Sequence, residues 1–159
     1  MNSLIRNIRT TMRHGQLKDL IQTLNQENTS FLEVYKPEIE HVVPKKGGYQ
    51  KLPLYEEELF QVYYIKWWNN AVSGIHAHPK EKCFFKILEG NLQEYVYPPY
   101  TDGSNLFIKH SYSAGHVAYI DDSIGFHNIV NSNNHDAYSL HLYFKNDDKF
   151  ANTYNHQHQ

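Results

Sequence analysis

The sequence predicts a mainly β domain, an antiparallel sandwich or small barrel, preceded by a short helical segment. From residue 60 onward, short runs of aromatic and β-branched residues follow one another, and turn residues such as those of PPYTDGSN separate them. The seven predicted strands are FQVYYIKW, CFFKILEG, LQEYVY, LFIKHSY, HVAYID, FHNIVN and AYSLHLYF. Because no helical pattern stands between them, we expect antiparallel pairing rather than a parallel sheet with crossover helices.

The first 40 residues predict helices. In LKDLIQTLNQE, leucine and isoleucine recur at helical spacing. Ser30 followed by Glu33 is a capping-box pattern for a second short helix, which we expect to end before Pro37.

The chain of 159 residues has the size of one ordinary domain. We divide it into a helical cap at 1–40, a barrel at 41–146 and a C-terminal tail at 147–159. The tail is assigned because the last stretch, NDDKFANTYNHQHQ, is polar.

Composition and charge favour a small-molecule partner. The 15 basic residues nearly balance the 17 acidic ones, and neither sign forms a long block, so we expect neither nucleic acid nor a membrane surface as partner. No apolar run approaches the length of a membrane span, and the first 20 residues have no signal-peptide core. A single cysteine fits a reducing compartment. We therefore expect a cytoplasmic protein, a monomer or homodimer.

The stretch GIHAHPKEKC places two histidines one residue apart. In a strand, His76 and His78 project from the same face, which is chelating geometry for a metal ion. The alternative is a pair of ordinary surface or core histidines. Cys83, the only cysteine, follows five positions on, and its alternative interpretation is a small buried hydrophobic residue.

The run Ser139-Leu-His141-Leu-Tyr143 alternates polar residues with leucines. Its polar members share one strand face, where Ser139 can orient His141 and His141 can orient the hydroxyl of Tyr143. The alternative is that this face is the solvent side of an edge strand. We expect Trp67 to pack beneath the site. The histidines expected to be solvated are His110, His116, His135, His156 and His158.

Taken together, these motifs resemble those of the cupin family. His-x-His followed by Cys83 and Gly90 resembles the first cupin motif, in which glutamate usually stands at the place of Cys83, and His127 with Asn131 resembles part of the second. The closer resemblance is to the cysteine dioxygenases, cupins in which cysteine replaces that glutamate. The matching segments are GIHAHPKEKCFFKILEGNLQE, AYIDDSIGFHNIV and YSLHLY. The resemblance implies a single cupin barrel, a jelly-roll-like double-stranded β-helix, behind the helical cap.

The family's chemistry implies a role for each matching residue. By resemblance, His76, His78 and His127 hold one ferrous iron per chain, although imidazoles also suit zinc, copper or nickel. Three neutral ligands leave the metal its full double charge, which favours a bound thiolate over a thiol. The implied reaction converts L-cysteine and O2 to cysteine sulfinic acid, with both oxygen atoms delivered to sulfur. If Cys83 faces Tyr143 across the barrel, oxidation can join them in a thioether crosslink.

The sequence departs from the family at the substrate clamp. The family typically carries tyrosine-x-arginine ahead of the first metal strand, and the arginine holds the substrate carboxylate; here the run is Tyr49-Gln50-Lys51. Lysine neutralises a carboxylate but lacks the two-pronged geometry of guanidinium. We expect L-cysteine as substrate, with Lys51 as carboxylate partner and Tyr49 nearby.

Three alternatives stay open at this point. Related thiol dioxygenases acting on 3-mercaptopropionate have glutamine at the arginine place, and a one-residue change of alignment puts Gln50 there. KKGGYQK also has the composition of a polar loop with a solvated lysine. From a different class, the chain resembles a metal-binding cupin without turnover, a sensor or storage module.

Overall fold

The computed structural model describes residues 1–27, 29–41, 48–78, 81–99 and 107–145. Its helices are α1 (Asn2–His14), α2 (Leu17–Gln26) and α3 (Lys36–Glu40), with a 3-10 helix (Ser30–Tyr35) before α3. Its strands are β1 (Tyr49–Glu56), β2 (Phe60–Trp67), β3 (Glu81–Glu89), β4 (Asn91–Tyr97), β5 (Ile108–Ser113), β6 (Val117–Asp121), β7 (Phe126–Val130) and β8 (Ala137–Lys145). Three predicted segments lie wholly or partly outside the described residues: the tail at 147–159 with His156 and His158, most of the turn PPYTDGSN, and the start of KKGGYQK.

The strands form two antiparallel sheets, which confirms the predicted fold class. One sheet has the order β1-β2-β8-β3-β6 and the other the order β5-β4-β7. An apolar cluster that includes Phe85 and Ile129 fills the space between the sheets. A second cluster, including Leu20 and Leu142, joins the helices to the outer face of the larger sheet. Within the described part of the chain, none of the helices combines the length and the apolar character that a membrane span requires.

Strand β1 is missing from the sequence prediction, which interpreted its start as a polar loop. Its residues, YQKLPLYE, pair along β2 at the edge of the larger sheet. The register shifts between Pro53 and Tyr55, and an edge strand tolerates proline because one side of its backbone needs no partner strand. Tyr49 and Lys51 therefore lie on a strand and not in a loop, whereas Lys51 is exposed as a residue, as the polar-loop alternative expected.

The helical turn that begins at Ser30 ends at Tyr35, before Pro37, as predicted, but it is a 3-10 helix capped by Thr29 without the side-chain hydrogen bond of the predicted capping box. The segment continues from the 3-10 helix into α3, and Pro37 stands in the first turn of α3. A proline is tolerated there because the first backbone N–H groups of a helix have no carbonyl partner within the helix.

Strand β8 lies in the middle of the larger sheet, between β2 and β3. Its leucines, Leu140 and Leu142, pack beneath the helices, whereas Ser139, His141 and Tyr143 project into the barrel and are buried. The interpretation of the polar face as the solvent side of an edge strand is therefore wrong. The helical layer covers one face of β8 and the smaller sheet covers the other.

Lys86 ties the helical cap to the barrel, and its replacement by methionine is expected to destabilise the protein. The buried ammonium donates to the carbonyls of Leu24 at 2.8 Å and Glu27 at 3.0 Å, at the end of α2. Loss of these bonds leaves buried carbonyls without a donor, so we expect the free energy of unfolding to fall by about 1–3 kcal/mol. Urea denaturation measures the change, with Lys18→Met on the exposed side of α2 as control. Equal stability of both variants would contradict this role.

Candidate metal centre

Three histidines from two separate segments converge at one point inside the barrel. His76 and His78 lie in the connection between β2 and β3, outside a regular strand, and His127 lies on β7. His76 and His127 exchange backbone hydrogen bonds of 2.9 Å in each direction, which brings the two segments together. The Nε2 atom of His127 is 2.9 Å from Nε2 of His78 and 3.0 Å from Nε2 of His76.

Hydrogen bonds at the far side of two rings fix their orientation. The Nδ1–H of His76 donates to the carbonyl of Gly74 at 2.9 Å, and the Nδ1–H of His127 donates to Oε1 of Glu94 at 2.6 Å. A carbonyl and a carboxylate only accept, so the Nε2 lone pairs are left facing the shared point. The backbone N–H of His78 donates to a carboxylate oxygen of Asp122 at 2.9 Å, which holds the segment of the third histidine in place.

The three rings fit a divalent metal ion. Their ligand atoms all lie within 4.8 Å of one another. When two nitrogens bind one ion at about 2.1 Å each and the two bonds form a right angle, the nitrogens lie about 3 Å apart. The distances from Nε2 of His127 to Nε2 of His78 and of His76 agree with this value. Burial lowers the pKa of His78 to about 3 and also lowers the pKa of His76, so both rings are neutral near pH 7, as metal ligands must be.

A chain of hydrogen bonds leads from the core to the metal centre. Trp67 donates its Nε1–H to Oγ of Ser139 at 2.8 Å, and that oxygen is 3.0 Å from Nε2 of His141. Nδ1 of His141 is 3.3 Å from the hydroxyl of Tyr143. The structure thus contains both hydrogen bonds of the expected relay, with Trp67 beneath it. The ring of Tyr143 lies 5.6 Å from that of His78, so the relay ends beside the three histidines.

Cys83 lies beside Tyr143 in the same sheet, not across the barrel from it. The two residues are directly paired on the neighbouring strands β3 and β8. Cys83 is a fully buried free thiol whose sulfur is 3.8 Å from Nδ1 of His141, and burial raises the pKa of this thiol. Cys83 is therefore a buried residue, as one interpretation expected, and it also contacts the relay residues His141 and Tyr143, as the functional interpretation expected.

Lys51 reaches the pocket from the edge strand β1. Its ammonium donates to the hydroxyl of Tyr143 at 3.2 Å and lies 4.9 Å from the centre of that ring. Tyr49, two residues earlier on the same face, stacks on Trp67 with ring centres 4.8 Å apart. Gln50 is directed away from the pocket, where its amide donates to the carbonyl of Lys51. Of the two clamp candidates, Lys51 is the one beside the histidines.

Sequence analysis missed two further residues at this centre, Glu94 on β4 and Tyr112 on β5. Glu94 is only 2% exposed and accepts a hydrogen bond of 2.8 Å from the hydroxyl of Tyr112 besides that from His127. Glu94 could have been noticed from the sequence because it alternates with Leu92 and Val96 in a predicted strand, which places an acidic residue on the face that the apolar residues bury. By contrast, the histidines expected to be solvated are exposed wherever the structure describes them, at His110, His116 and His135.

Solved structures with the same arrangement of sheets identify the fold as a cupin. Oxalate oxidase superposes with a TM-score of 0.54 at 15% identity, over 64% of this chain and 53% of that one. The cupin domain of Schizosaccharomyces pombe Cnp3 also superposes with a TM-score of 0.54, at 13% identity, over 68% of this chain and 67% of that one.

The family model for cysteine dioxygenase type I matches residues 55–155. The chain belongs to that family. Rat cysteine dioxygenase type 1 is 40% identical over 88 residues, which are 53% of this chain and 44% of the rat protein. The zebrafish protein of the same name, from Danio rerio, is 28% identical over 156 residues, with 83% of this chain and 76% of that protein covered. The chain thus spans a little under half the length of the rat relative that it matches.

Proposed function

We propose that the protein is an iron-dependent thiol dioxygenase that converts L-cysteine and O2 to cysteine sulfinic acid. The observation that carries this proposal is the convergence of three histidines beside the hydroxyl of Tyr143 and the ammonium of Lys51, in a chain of the cysteine dioxygenase family. The reaction is balanced without a reductant, because a thiol RSH and O2 together give RSO2H. His76, His78 and His127 would hold the iron, which when bound supplies open positions for the thiolate and activates dioxygen toward sulfur.

The relay keeps the phenol of Tyr143 protonated and oriented to donate a hydrogen bond. Oγ of Ser139 accepts from Trp67, so the Ser139 hydroxyl is free to donate to Nε2 of His141, whose Nδ1–H then donates to Tyr143. With His141 and Lys51 both donating to its oxygen, the phenol directs its own O–H toward the pocket. Burial raises the pKa of Tyr143, which favours the protonated phenol as a donor to the reacting sulfur or oxygen.

Lys51 is the proposed partner of the substrate carboxylate. An ammonium has three N–H donors, so Lys51 can keep its bond to Tyr143 and still bind an anion. The lysine would thus attract the carboxylate and hold it next to the phenol. The side chain of Tyr49, packed on Trp67, forms the neighbouring wall of the pocket.

One observation favours a second substrate, 3-mercaptopropionate. The described side chains that line the pocket are Tyr49, Lys51, Ile65, Trp67, Ser73, His76, His127, Ile129, His141 and Tyr143. None of these described residues is acidic, so the amino group of L-cysteine has no carboxylate partner among them. A thiol acid without an amino group, such as 3-mercaptopropionate, needs no such partner in this pocket.

Oxygen uptake by the iron-loaded protein tests the proposal. L-cysteine, 3-mercaptopropionate and cysteamine are offered separately, and the products are identified by mass spectrometry. Fastest uptake with L-cysteine, matched by cysteine sulfinate, is the expected result, whereas faster uptake with 3-mercaptopropionate would move the substrate assignment to that acid. If protein shown to hold iron consumes no oxygen with any of the three thiols, the chain is a non-catalytic metal-binding cupin.

The pairing of Cys83 with Tyr143 predicts a thioether crosslink that forms during exposure to iron and oxygen. A bond between the sulfur and a ring carbon replaces one S–H and one ring C–H, and O2 takes up the two electrons and two protons as hydrogen peroxide. Peptide mass spectrometry is expected to detect a linked pair lighter by two hydrogen atoms, absent from Cys83→Ser. Unlinked peptides after prolonged turnover would contradict the prediction.

A cytoplasmic location is part of the same proposal. A reducing compartment keeps small thiol substrates in the free form that the reaction consumes, and it suits a chain whose single cysteine is a free thiol. Fractionation of cells that express the protein, with activity assayed in each fraction, tests this assignment.

A further inference from the structure

We propose that Glu94 and Tyr112 form with His127 a buried hydrogen-bonded unit that strengthens metal binding and lowers the Fe(III)/Fe(II) potential of the centre. Glu94 is a positioning residue in this account, because it acts on the metal through His127. The inference rests on the metal site of the proposed function and does not depend on which thiol is the substrate.

Three adjacent strands build this unit. In the smaller sheet β4 lies between β5 and β7, and these strands carry Glu94, Tyr112 and His127, respectively. Tyr112 is paired with Leu92 and His127 with Val96, the residues two positions before and after Glu94. Side chains at alternate positions share a strand face, so all three polar groups project into the barrel, where Glu94 is 2% exposed.

Both carboxylate oxygens of Glu94 are occupied. Oε1 accepts from Nδ1–H of His127 at 2.6 Å, and Oε2 accepts from the hydroxyl of Tyr112 at 2.8 Å. A buried charged acceptor costs free energy unless it is fully hydrogen-bonded, and here each oxygen has a donor from an adjacent strand. The bond to Tyr112 fixes the carboxylate in the position from which it can orient His127.

Glu94 also distinguishes His127 from His76. The outer nitrogen of His76 meets a neutral carbonyl, that of Gly74, whereas the outer nitrogen of His127 meets a carboxylate. A carboxylate partner makes the imidazole a stronger electron donor to a metal and holds its ring in place. It also offsets part of the double charge that three neutral histidines leave on the ion, and it stabilises Fe(III) more than Fe(II).

The expectation that the metal keeps its full double charge therefore needs revision. The proposed ligands are three histidines, and a buried carboxylate lies one hydrogen bond away from one of them. Thiolate binding at this centre would be favoured less strongly than at a centre without Glu94, while the oxidised metal would be favoured more.

Glu94→Gln tests the charge because glutamine has nearly the same size and its oxygen can still accept from His127. We expect Co(II) affinity, measured by chelator competition, to fall about 10–100-fold, and the Fe(III)/Fe(II) potential to rise. Glu58→Gln, a change at an exposed glutamate, is the matched control and leaves both values at those of the wild type. Unchanged affinity and potential in Glu94→Gln would overturn the inference.

Tyr112→Phe provides an independent test if Glu94→Gln does not fold. Without the phenol, Oε2 of Glu94 loses its donor, so more negative charge is directed at His127 and the potential is expected to fall rather than rise. An unchanged or raised potential in Tyr112→Phe alone would overturn the inference. Where both variants fold, a purely structural role would not give opposite shifts in them. Wild-type protein that binds neither Co(II) nor Fe(II) would overturn the proposed metal site as well.

Discussion

Replacing His127 by alanine is expected to remove the bound iron and to abolish oxygen uptake with every thiol. His127 is the proposed ligand that contacts both of the others, at 2.9 Å from His78 and 3.0 Å from His76, so its loss leaves two proposed ligands from a single segment. The variant also leaves the buried carboxylate of Glu94 without its histidine donor. We expect iron affinity to fall by more than about 100-fold, since loss of an outer-sphere partner alone costs about 10–100-fold.

Iron content after desalting and oxygen-electrode rates measure this effect. His14→Ala is the matched control, because His14 is an exposed histidine at the end of α1, outside the barrel that contains the three histidines. Circular dichroism of both variants shows whether the barrel is intact. Iron retention and near wild-type uptake in a folded His127→Ala protein would contradict the assignment of the metal centre.

Replacing Lys51 by methionine is expected to raise KM for L-cysteine and for 3-mercaptopropionate by about 10–100-fold, as a charge-assisted hydrogen bond contributes about 1.5–3 kcal/mol. Cysteamine has no carboxylate, so its KM is expected to stay within about twofold of the wild-type value, well below a typical hydrogen-bond effect. Steady-state oxygen uptake with the three thiols measures the difference. An equal loss with all three would instead assign Lys51 to the positioning of Tyr143, to which it also donates.

KM for the carboxylate thiols is expected to depend on pH through Lys51, and Lys51→Arg is expected to remove that dependence. Burial of its ammonium lowers the pKa of Lys51, so the charge is lost at a lower pH than in an exposed lysine. KM for the carboxylate thiols should therefore rise as pH increases through that lowered pKa. The arginine of Lys51→Arg keeps its charge over this range. Because the substrate thiol titrates equally in both assays, its effect cancels when the wild-type KM is divided by the KM of Lys51→Arg at each pH. A ratio independent of pH would contradict a charged Lys51 as the clamp.

Local sequence patterns were sufficient to predict most of the barrel. Alternation and β-branched residues marked seven strands. The spacing of His76 and His78 was interpreted as a strand pattern, and that part is wrong because both lie outside a regular strand, although their ring nitrogens do lie near one point. Strand β1 was missed because Pro53 and a mixed pattern conceal an edge strand whose pairing with β2 is a tertiary property. The 3-10 helix ends before Pro37, as predicted, but α3 was missed because proline, which ends a helix in its interior, is tolerated in its first turn.

The residues around the metal centre depended on information that spacing does not contain. Cys83 and Tyr143 are neighbours only because β3 and β8 pair in one particular register, and a shift by one residue would place their side chains on opposite faces. Glu94 meets His127 through the order of strands in the smaller sheet, which no local pattern specifies. The position of Glu94 among inward-facing apolar residues shows that it is an unusual buried acid, but it does not predict that His127 is its hydrogen-bond partner.

The most direct test of the central claim is turnover under dioxygen labelled with oxygen-18. The iron-loaded protein is supplied with L-cysteine and, separately, 3-mercaptopropionate in unlabelled water, and the sulfinate is analysed by mass spectrometry. The account predicts that both sulfinate oxygen atoms carry the label, because one O2 molecule supplies both. A product with one labelled atom or none, or no sulfinate from protein that holds iron at His76, His78 and His127, would contradict it.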